Sequence, residues 1–254
     1  MVRDMARVTV TDAGRIFTAI ENKISRATAK TLSTIAKNVR DEVTAELPKV
    51  FDRPTPWTMR SLYWRGASVD KGRMAATVWF KDFAAKGTPA DKYLRPQVLG
   101  GGRGQKRMER GLQQAGILPA GMMVVPGRSA KLDAYGNISR GQIVQILAYF
   151  RAFGEQGYAA NMTDKRRKNL AKDKVSRATG AVRKGFSYFV LRQVHNGLPP
   201  GVYMRLQYGE QVVLRPILIF IRAANYRPRL AFYDIASKVA DRDAARLMAG
   251  ALVV

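Results

Sequence analysis

The fold is decided by residues 11–47, which read TDAGRIFTAIENKISRATAKTLSTIAKNVRDEVTAEL. Apolar residues recur here at steps of three, four and occasionally five, which places them in one stripe along an amphipathic helix. They are Ile16, Ile20, Ile24, Ala27, Leu32, Ile35, Val39 and Val43. A continuous helix over this segment would be about 54 Å long. We expect Pro48 to end it, because proline lacks an N–H and clashes with the preceding turn.

A helix of this length exceeds the width of a small domain. Part of its apolar stripe is therefore expected to pack on another element or on another copy of the protein. The pattern fits a long core helix of one domain, and it also fits a helix that contacts a second subunit.

The composition indicates a protein with a real core and an acidic partner. The chain has 254 residues, of which 46% are hydrophobic, so it can bury a core. Its 44 Lys and Arg against 19 Asp and Glu give a net charge of +25. Such a surface fits nucleic acid, an acidic protein or an anionic membrane. Because there is no cysteine, the chain has no disulfide framework and no thiolate metal site.

Two observations argue against a signal peptide and against a membrane-spanning segment, and we predict no membrane partner. Residues 1–10 lack the uninterrupted apolar region of a signal peptide. The longest apolar run, residues 217–221, is far shorter than the roughly 20 residues that span a bilayer. We expect a soluble protein made in the cytoplasm.

After the helix, apolar side chains recur at every second residue. Residues 60–68 and 73–80 alternate apolar and polar side chains, which predicts a β-hairpin that turns at residues 69–72, with Gly72 supplying a positive φ. Trp57, Trp64 and Trp79 all fall in this block. We interpret them as an aromatic cluster that seals the hairpin onto the long helix, in preference to a platform for stacking a ligand.

The middle of the chain, residues 84–185, is rich in glycine and proline and predicts a loop-rich insertion. Short helices are expected at 90–94 and 106–115, and a third follows the capping box of Ser139 and Gln142. The glycines at 100–104 precede a helix, as in phosphate cradles, but they lack the P-loop spacing. A loop that contacts a neighbouring subunit is the favoured interpretation.

Residues 161–185 form a basic arm without apolar periodicity, which predicts an exposed, mobile segment. Its candidate partner or phosphate contacts are Lys165, Arg166, Arg167, Lys168, Lys172 and Lys174. Lys and Arg bind phosphates without sequence preference by releasing counterions, and they bind acidic protein surfaces equally well. The sequence leaves both partners open.

Alternation returns at residues 186–194, and residues 202–207 with 211–222 predict a second hairpin. Residues 217–221 are its expected buried strand, with Pro216 at a bulge or an edge. A final helix is predicted at about 230–252.

The predicted fold is α+β, with the N-terminal and C-terminal helices packed on an antiparallel sheet of two hairpins. Residues 1–83 and 186–254 would form the core, and residues 84–185 the insertion.

Catalytic chemistry finds little support. His195 is the only histidine, which leaves no paired-histidine metal site and only one possible base for a triad. Its His-Asn-Gly-Leu-Pro-Pro setting is typical of a turn. We predict no enzyme activity, no cofactor and no metal.

The corner after the long helix resembles a family. Residues 54–62, PTPWTMRSL, open the hairpin and are similar to a motif of tail-completion or minor tail proteins of long-tailed bacteriophages, through Pro54, Thr58, Arg60, Ser61 and Leu62. Met59 replaces the glycine that this family commonly has after the threonine. Residues 79–102 and 132–142 also look like structural proteins found in prophages.

The resemblance implies a virion structural protein of the neck or tail, made in the bacterial host cytoplasm and built as a ring of identical subunits without catalysis. Its implied partners are copies of itself and other neck, tail or portal-associated proteins. The candidate assembly corner comprises Pro54, Trp57, Thr58, Arg60 and Ser61. The alternative is a basic DNA-binding accessory or packaging protein, with DNA bound through the basic arm.

Overall fold

The computed structural model describes residues 10–85, 87–222 and 225–253. The prediction about a signal peptide at residues 1–10 therefore falls, apart from Val10, outside the described residues. The helices are α1 (Val10–Val50), α2 (Pro56–Met59), α3 (Ala90–Leu99), α4 (Arg107–Gln114), α5 (Arg140–Tyr149), α6 (Asp164–Leu170) and α7 (Phe232–Val253), with a 3-10 helix at Glu155–Ala160. The strands are β1 (Leu62–Arg65), β2 (Thr77–Phe80), β3 (Gly101–Gly102), β4 (Met122–Pro126), β5 (Lys174–Val175), β6 (Val182–Arg183), β7 (Phe186–Leu191), β8 (Gly201–Tyr208), β9 (Gln211–Arg222) and β10 (Asn225–Tyr226).

The predicted α+β class is confirmed, with a long N-terminal helix, a C-terminal helix and antiparallel sheets. None of the described helices combines the length and the apolar character needed to cross a bilayer. The chain divides into two compact units, Met1–Leu99 with Pro228–Val254, and Gly100–Arg227.

The first unit is built on α1. Helix α7 runs antiparallel beside it, since Thr31 bonds to Met248 while Asn38 bonds to Asp243. A core cluster joins α1, the first hairpin and α7, and its buried members are Val39, Val43, Leu47, Leu62, Leu230 and Val239. The C-terminal half of the long amphipathic stripe is thus the core of this unit.

Pro48 does not end α1 where the sequence predicts. The helix continues to Val50 with Pro48 inside its last turn. Proline removes only its own N–H from the helix, and the turn is completed by the Phe51 N–H, which donates to the Leu47 carbonyl at 2.9 Å. The prediction that the helix stops at Leu47 is therefore wrong by three residues.

The first hairpin forms as predicted, with shorter strands. Leu62 pairs with Phe80 and Arg65 with Thr77. The turn closes through the Ser68–Arg73 bridge, and Gly72 adopts a φ of 59°.

The second unit contains a four-stranded antiparallel sheet in the order β4-β9-β8-β7. Helices α4 and α5 contribute Leu112, Ile146 and Leu147 to its core. Ile217 and Leu218 are fully buried in β9. The pairing of β8 with β9 shifts register between Val202 and Tyr203, beside Pro216, which confirms a bulge at that proline.

The predicted bounds of the insertion are wrong. Strand β4 lies inside residues 84–185, yet it pairs with β9 along its whole length. The second hairpin therefore belongs with the middle of the chain, and the inserted unit is Gly100–Arg227. The physical reason is that β9 has two neighbours, so β4 is needed to complete its hydrogen bonding. At the ends of this unit, β3 pairs with β10, so the chain enters and leaves it side by side.

A buried ion pair ties the glycine-rich segment to this sheet. Glu109 is fully buried, and Arg103 donates to its two oxygens at 2.5 and 2.8 Å. The backbone N–H groups of Lys106 and Val124 also donate to it, at 2.7 and 2.9 Å. Because β4 is an edge strand, Glu109 satisfies an N–H of β4 that no neighbouring strand reaches.

We predict that Glu109→Gln lowers the free energy of unfolding by roughly 3 kcal/mol, because it leaves the largely buried guanidinium of Arg103 without its carboxylate. Chemical denaturation measures the change. Glu210→Gln, at an exposed turn position, is the matched control and should cost almost nothing. Equal effects of the two substitutions would contradict the structural role of Glu109.

The difference in stability between wild type and Glu109→Gln should depend on pH. Burial raises the pKa of Glu109, but the hydrogen bonds from Arg103 and from the Val124 and Lys106 backbone outweigh it and hold the pKa below its usual value. The stability from this carboxylate is therefore complete above the unfolded pKa of about 4.3 and is lost as the pH falls through the folded pKa. The difference between wild type and Glu109→Gln should shrink in acid. A constant difference would disprove this linkage.

Candidate functional site

The N-terminal half of α1 presents an apolar stripe to solvent. Ile16, Phe17, Ile20 and Ile24 are 59, 66, 48 and 47% exposed. Ala27 is the first buried residue of the helix in the described part of the chain, and the buried positions continue from there to Leu47. The single stripe seen in the sequence is thus half core and half surface.

A polar cluster fixes how far α7 covers α1. Asp243 is 2% exposed and accepts hydrogen bonds from Arg242, Asn38 and Arg246 at 2.8–3.1 Å. These hydrogen bonds, that from Arg242 first, hold the pKa of Asp243 well below its usual range despite burial. Arg242 also pairs with Glu42 at 2.7 Å. Sliding either helix would break the Asn38–Asp243 hydrogen bond and the Arg242–Glu42 ion pair, which are the polar contacts between α1 and α7 at this point. These contacts fix the register, so the first turns of α1 stay uncovered.

The predicted assembly corner divides into internal and surface residues. The hydroxyl of Thr58 is hydrogen-bonded within the protein, because its Oγ1 lies 3.0 Å from Thr55 Oγ1 and 3.2 Å from Tyr93 Oη. Ser61 is fully buried. Pro54 is half-buried, while Trp57 and Arg60 are exposed. Only Trp57 and Arg60 are placed to contact a partner.

The tryptophans do not form one internal cluster, so that interpretation is wrong. Leu62 and Phe80 face the core, and the alternate positions Tyr63 and Trp79 pair on the opposite face with ring centroids 5.9 Å apart. Lys81 Nζ lies 4.5 Å from the Tyr63 ring centroid and 5.6 Å from that of Trp57. Arg65 lies 5.9 Å from the Trp79 ring. Cations and aromatic rings therefore make cation–π contacts with one another on the outer face of the hairpin.

The basic arm is exposed, as predicted, but it has local structure. Residues Asp164–Leu170 form α6, capped by the Thr163 hydroxyl, which accepts from the Arg166 N–H. Strands β5 and β6 then form a two-stranded ribbon. The ribbon forms because Gly180 takes a φ of 67° and closes the loop between the strands. This turn was not predicted from the sequence.

The six predicted arm contacts do not behave alike. Lys165, Arg166, Lys168, Lys172 and Lys174 are exposed. Arg167 is engaged within the unit, because it pairs with Asp164 and lies over the Tyr149 ring at 5.8 Å. Its side chain is therefore a poor candidate for a partner contact.

The glycine-rich segment at 100–104 is not a free loop. Gly101 and Gly102 pair with β10, and Arg103 is held by Glu109. The cation nearest to these glycines is thus unavailable for a phosphate. His195 lies exposed in the turn that it shares with Leu198, where their backbones exchange two hydrogen bonds, so its prediction as a turn residue is confirmed.

Within residues 10–85, 87–222 and 225–253, no group of three or more Asp, Glu or His side chains is placed to hold a metal ion. No protein-family model, no curated protein and no solved structure matches this chain. Among the described residues, the exposed apolar stripe of α1 and the exposed cations of the basic arm are therefore the candidate partner surfaces.

We predict that Ser61→Ala leaves the free energy of unfolding unchanged or raises it by up to about 1 kcal/mol. Ser61 Oγ is buried and has no hydrogen-bond partner among the described residues, so removing it relieves an unsatisfied group. Thr58→Val, which removes a bonded hydroxyl from the same corner, should lower the stability by about 1 kcal/mol. Thermal or chemical denaturation compares them. A loss at Ser61 larger than that at Thr58 would contradict this assignment.

Proposed function

We propose that this protein is a structural subunit of the neck or tail of a long-tailed bacteriophage, which assembles with copies of itself and acts without catalysis. The observation that supports assembly is the exposed apolar stripe at Ile16, Phe17, Ile20 and Ile24. The phage assignment rests on the resemblance of the corner at residues 54–62. Its proposed location is the virion, after synthesis in the host cytoplasm.

The stripe has the size and character of a contact surface. Its four large side chains occupy three successive helical turns on one side of α1. Contiguous exposed apolar surface of this kind marks interaction sites on soluble proteins. Full burial of such a side chain is worth about 1.5–3 kcal/mol relative to exposure, so covering what is exposed here would stabilise an assembly substantially.

Charge favours a second copy of this chain as the occupant. The chain carries +25, so most of its surface repels another copy. Residues 14–25 are different, because Arg15 and Lys23 are opposed by Glu21, which leaves a net charge of only +1. Two copies can therefore approach along this half of α1 with little repulsion. The stripe of one copy gives a two-fold dimer if it meets the same stripe of another copy, and the proposed ring requires that it meet a different surface of the next copy.

A second candidate function is a basic DNA-binding accessory or packaging protein. The exposed cations of the arm favour it. Salt separates the two proposals, since nucleic-acid binding weakens steeply between low and moderate salt, whereas assembly through apolar surface does not. Other neck, tail or portal-associated proteins are the further proposed partners.

We expect phage particles that lack this protein to show a defect at the neck or tail in electron micrographs. Complementation with Ile16→Asp/Ile20→Asp should not restore them, because two carboxylates would have to be buried in the subunit contact. Both side chains are exposed in the single chain, so its thermal stability should stay unchanged.

The matched control is Thr18→Asp/Asn22→Asp, which makes the same charge change at exposed positions on the opposite side of the same helical turns. It should restore the particles. Normal particles without the protein would refute the structural function, and rescue by Ile16→Asp/Ile20→Asp would refute the role of the stripe.

A further inference from the structure

We propose that the ribbon formed by β5, its turn and β6, residues 174–183, is a binding element for the phosphate backbone of double-stranded DNA. The proposal concerns the second unit alone and does not depend on subunit assembly. It rests on the register of the ribbon, on the balance of charges around it and on the way it is held.

The register places like charges together. Lys174 lies directly opposite Arg183, so two cations share one face of the ribbon. Like charges at directly opposed positions destabilise a strand pair. Val175 and Val182 are opposed on the other face, where they are 66 and 58% exposed. Neither face is explained by packing within the described part of the chain, and an anionic partner would relieve the repulsion on the first.

The acidic residues of the arm already form ion pairs within the second unit. Asp164 pairs with Arg151 and Arg167, and Asp173 pairs with Lys184 at 2.7 Å. Within the arm, residues 161–185, the cations that make no ion pair with the described residues are Lys165, Arg166, Lys168, Lys172, Lys174, Arg177 and Arg183. The ribbon and its base therefore present a dense, uncompensated positive charge.

The shape favours duplex DNA over an acidic protein. The major groove is about 12 Å wide and admits a two-stranded ribbon. Cations lie at the base of this ribbon (Lys172), on one face (Lys174 and Arg183) and at its tip (Arg177), and residues 171–183 are all exposed. A groove offers phosphates along both walls, so it meets all these positions, whereas a flat acidic surface meets one face.

The contact should be independent of DNA sequence. Residues 172–184 contain no Asn or Gln, the side chains that read adenine. Lysine and arginine contacts to phosphates position a protein on the duplex without specifying bases. Arg177 and Arg183 are of the type that reads guanine, so two unrelated duplexes of equal G·C content should bind with equal affinity.

The ribbon is presented from a fixed base. Asp173 accepts hydrogen bonds from the Lys184 ammonium at 2.7 Å and from the Gly185 N–H at 2.8 Å, which joins the two ends of the ribbon. A Cβ at Gly185 would overlap the Ala171 carbonyl, so the backbones pack closely there. Lys184 also lies over the Tyr208 ring at 5.5 Å, which ties the base to β8. Less conformational freedom is then lost on binding.

The test is a titration of the full-length chain into a short fluorescent DNA duplex of mixed sequence, followed by anisotropy at several salt concentrations between about 50 and 200 mM. The test variant is Lys174→Gln/Arg177→Gln/Arg183→Gln. It should bind at least about 10-fold more weakly at the lowest salt, and the slope of log affinity against log salt should fall by about 3, or one for each lost phosphate contact.

The control variant, Lys37→Gln/Lys71→Gln/Lys92→Gln, removes the same charge at exposed positions of the first unit, outside the proposed subunit contact. It should keep nearly the wild-type affinity and slope. Circular dichroism checks that both variants fold. Equal loss in the two variants would overturn the proposal, because net charge alone would then explain the binding.

Polyglutamate serves as the acidic-protein probe in a competition at the same salt. We expect it to displace the duplex far less effectively than unlabelled DNA of another sequence. Displacement by polyglutamate as effective as that by DNA would overturn the assignment of duplex DNA in favour of an acidic protein. A wild-type chain that binds no duplex at the lowest salt would overturn it outright.

Discussion

The unequal lengths of two paired helices determine the rest of the first unit. Helix α1 has 41 residues and α7 has 22, and the buried Asp243 with Asn38 fixes where α7 lies along α1. The covered half supplies Val39, Val43 and Leu47 to the core. The other half keeps the same apolar periodicity without a partner in the part of the chain that the structure describes. Because a long helix with an apolar side is poorly stable in water without packing, this half is the natural place for a subunit contact.

The second unit is organised by completion of its sheet. Strand β9 lies between β4 and β8, and the edge N–H of Val124 on β4 is satisfied by Glu109. The same carboxylate holds Arg103, so a glycine-rich segment that looks free in the sequence is tied to the sheet. The opposite edge strand, β7, follows directly after the basic arm, which therefore lies at the far edge from Glu109.

Periodicity was sufficient to predict the long helix, both hairpins and the closing helix. It could not assign β4, because Met122–Pro126 is a short apolar run without alternation, and such a run does not distinguish strand from helix. Nor could it separate the covered and bare halves of α1, since that depends on the length of a helix about 200 residues away. At the corner, the residue types were visible, but only the packing shows that Thr58 and Ser61 face inward while Trp57 and Arg60 face outward. Gly180 was the sequence signal for the ribbon, and the pairing of Lys174 with Arg183 required the register.

The most direct measurement of the central claim is hydrogen–deuterium exchange of the purified chain as its concentration is raised through assembly. The account predicts that residues 35–47 are protected at every concentration, because α7 and the first hairpin cover them. Residues 14–24 should exchange rapidly in the single chain and become protected as the oligomer forms. An oligomer in which residues 14–24 exchange as fast as in the single chain would contradict the claim that the bare half of α1 is a subunit contact.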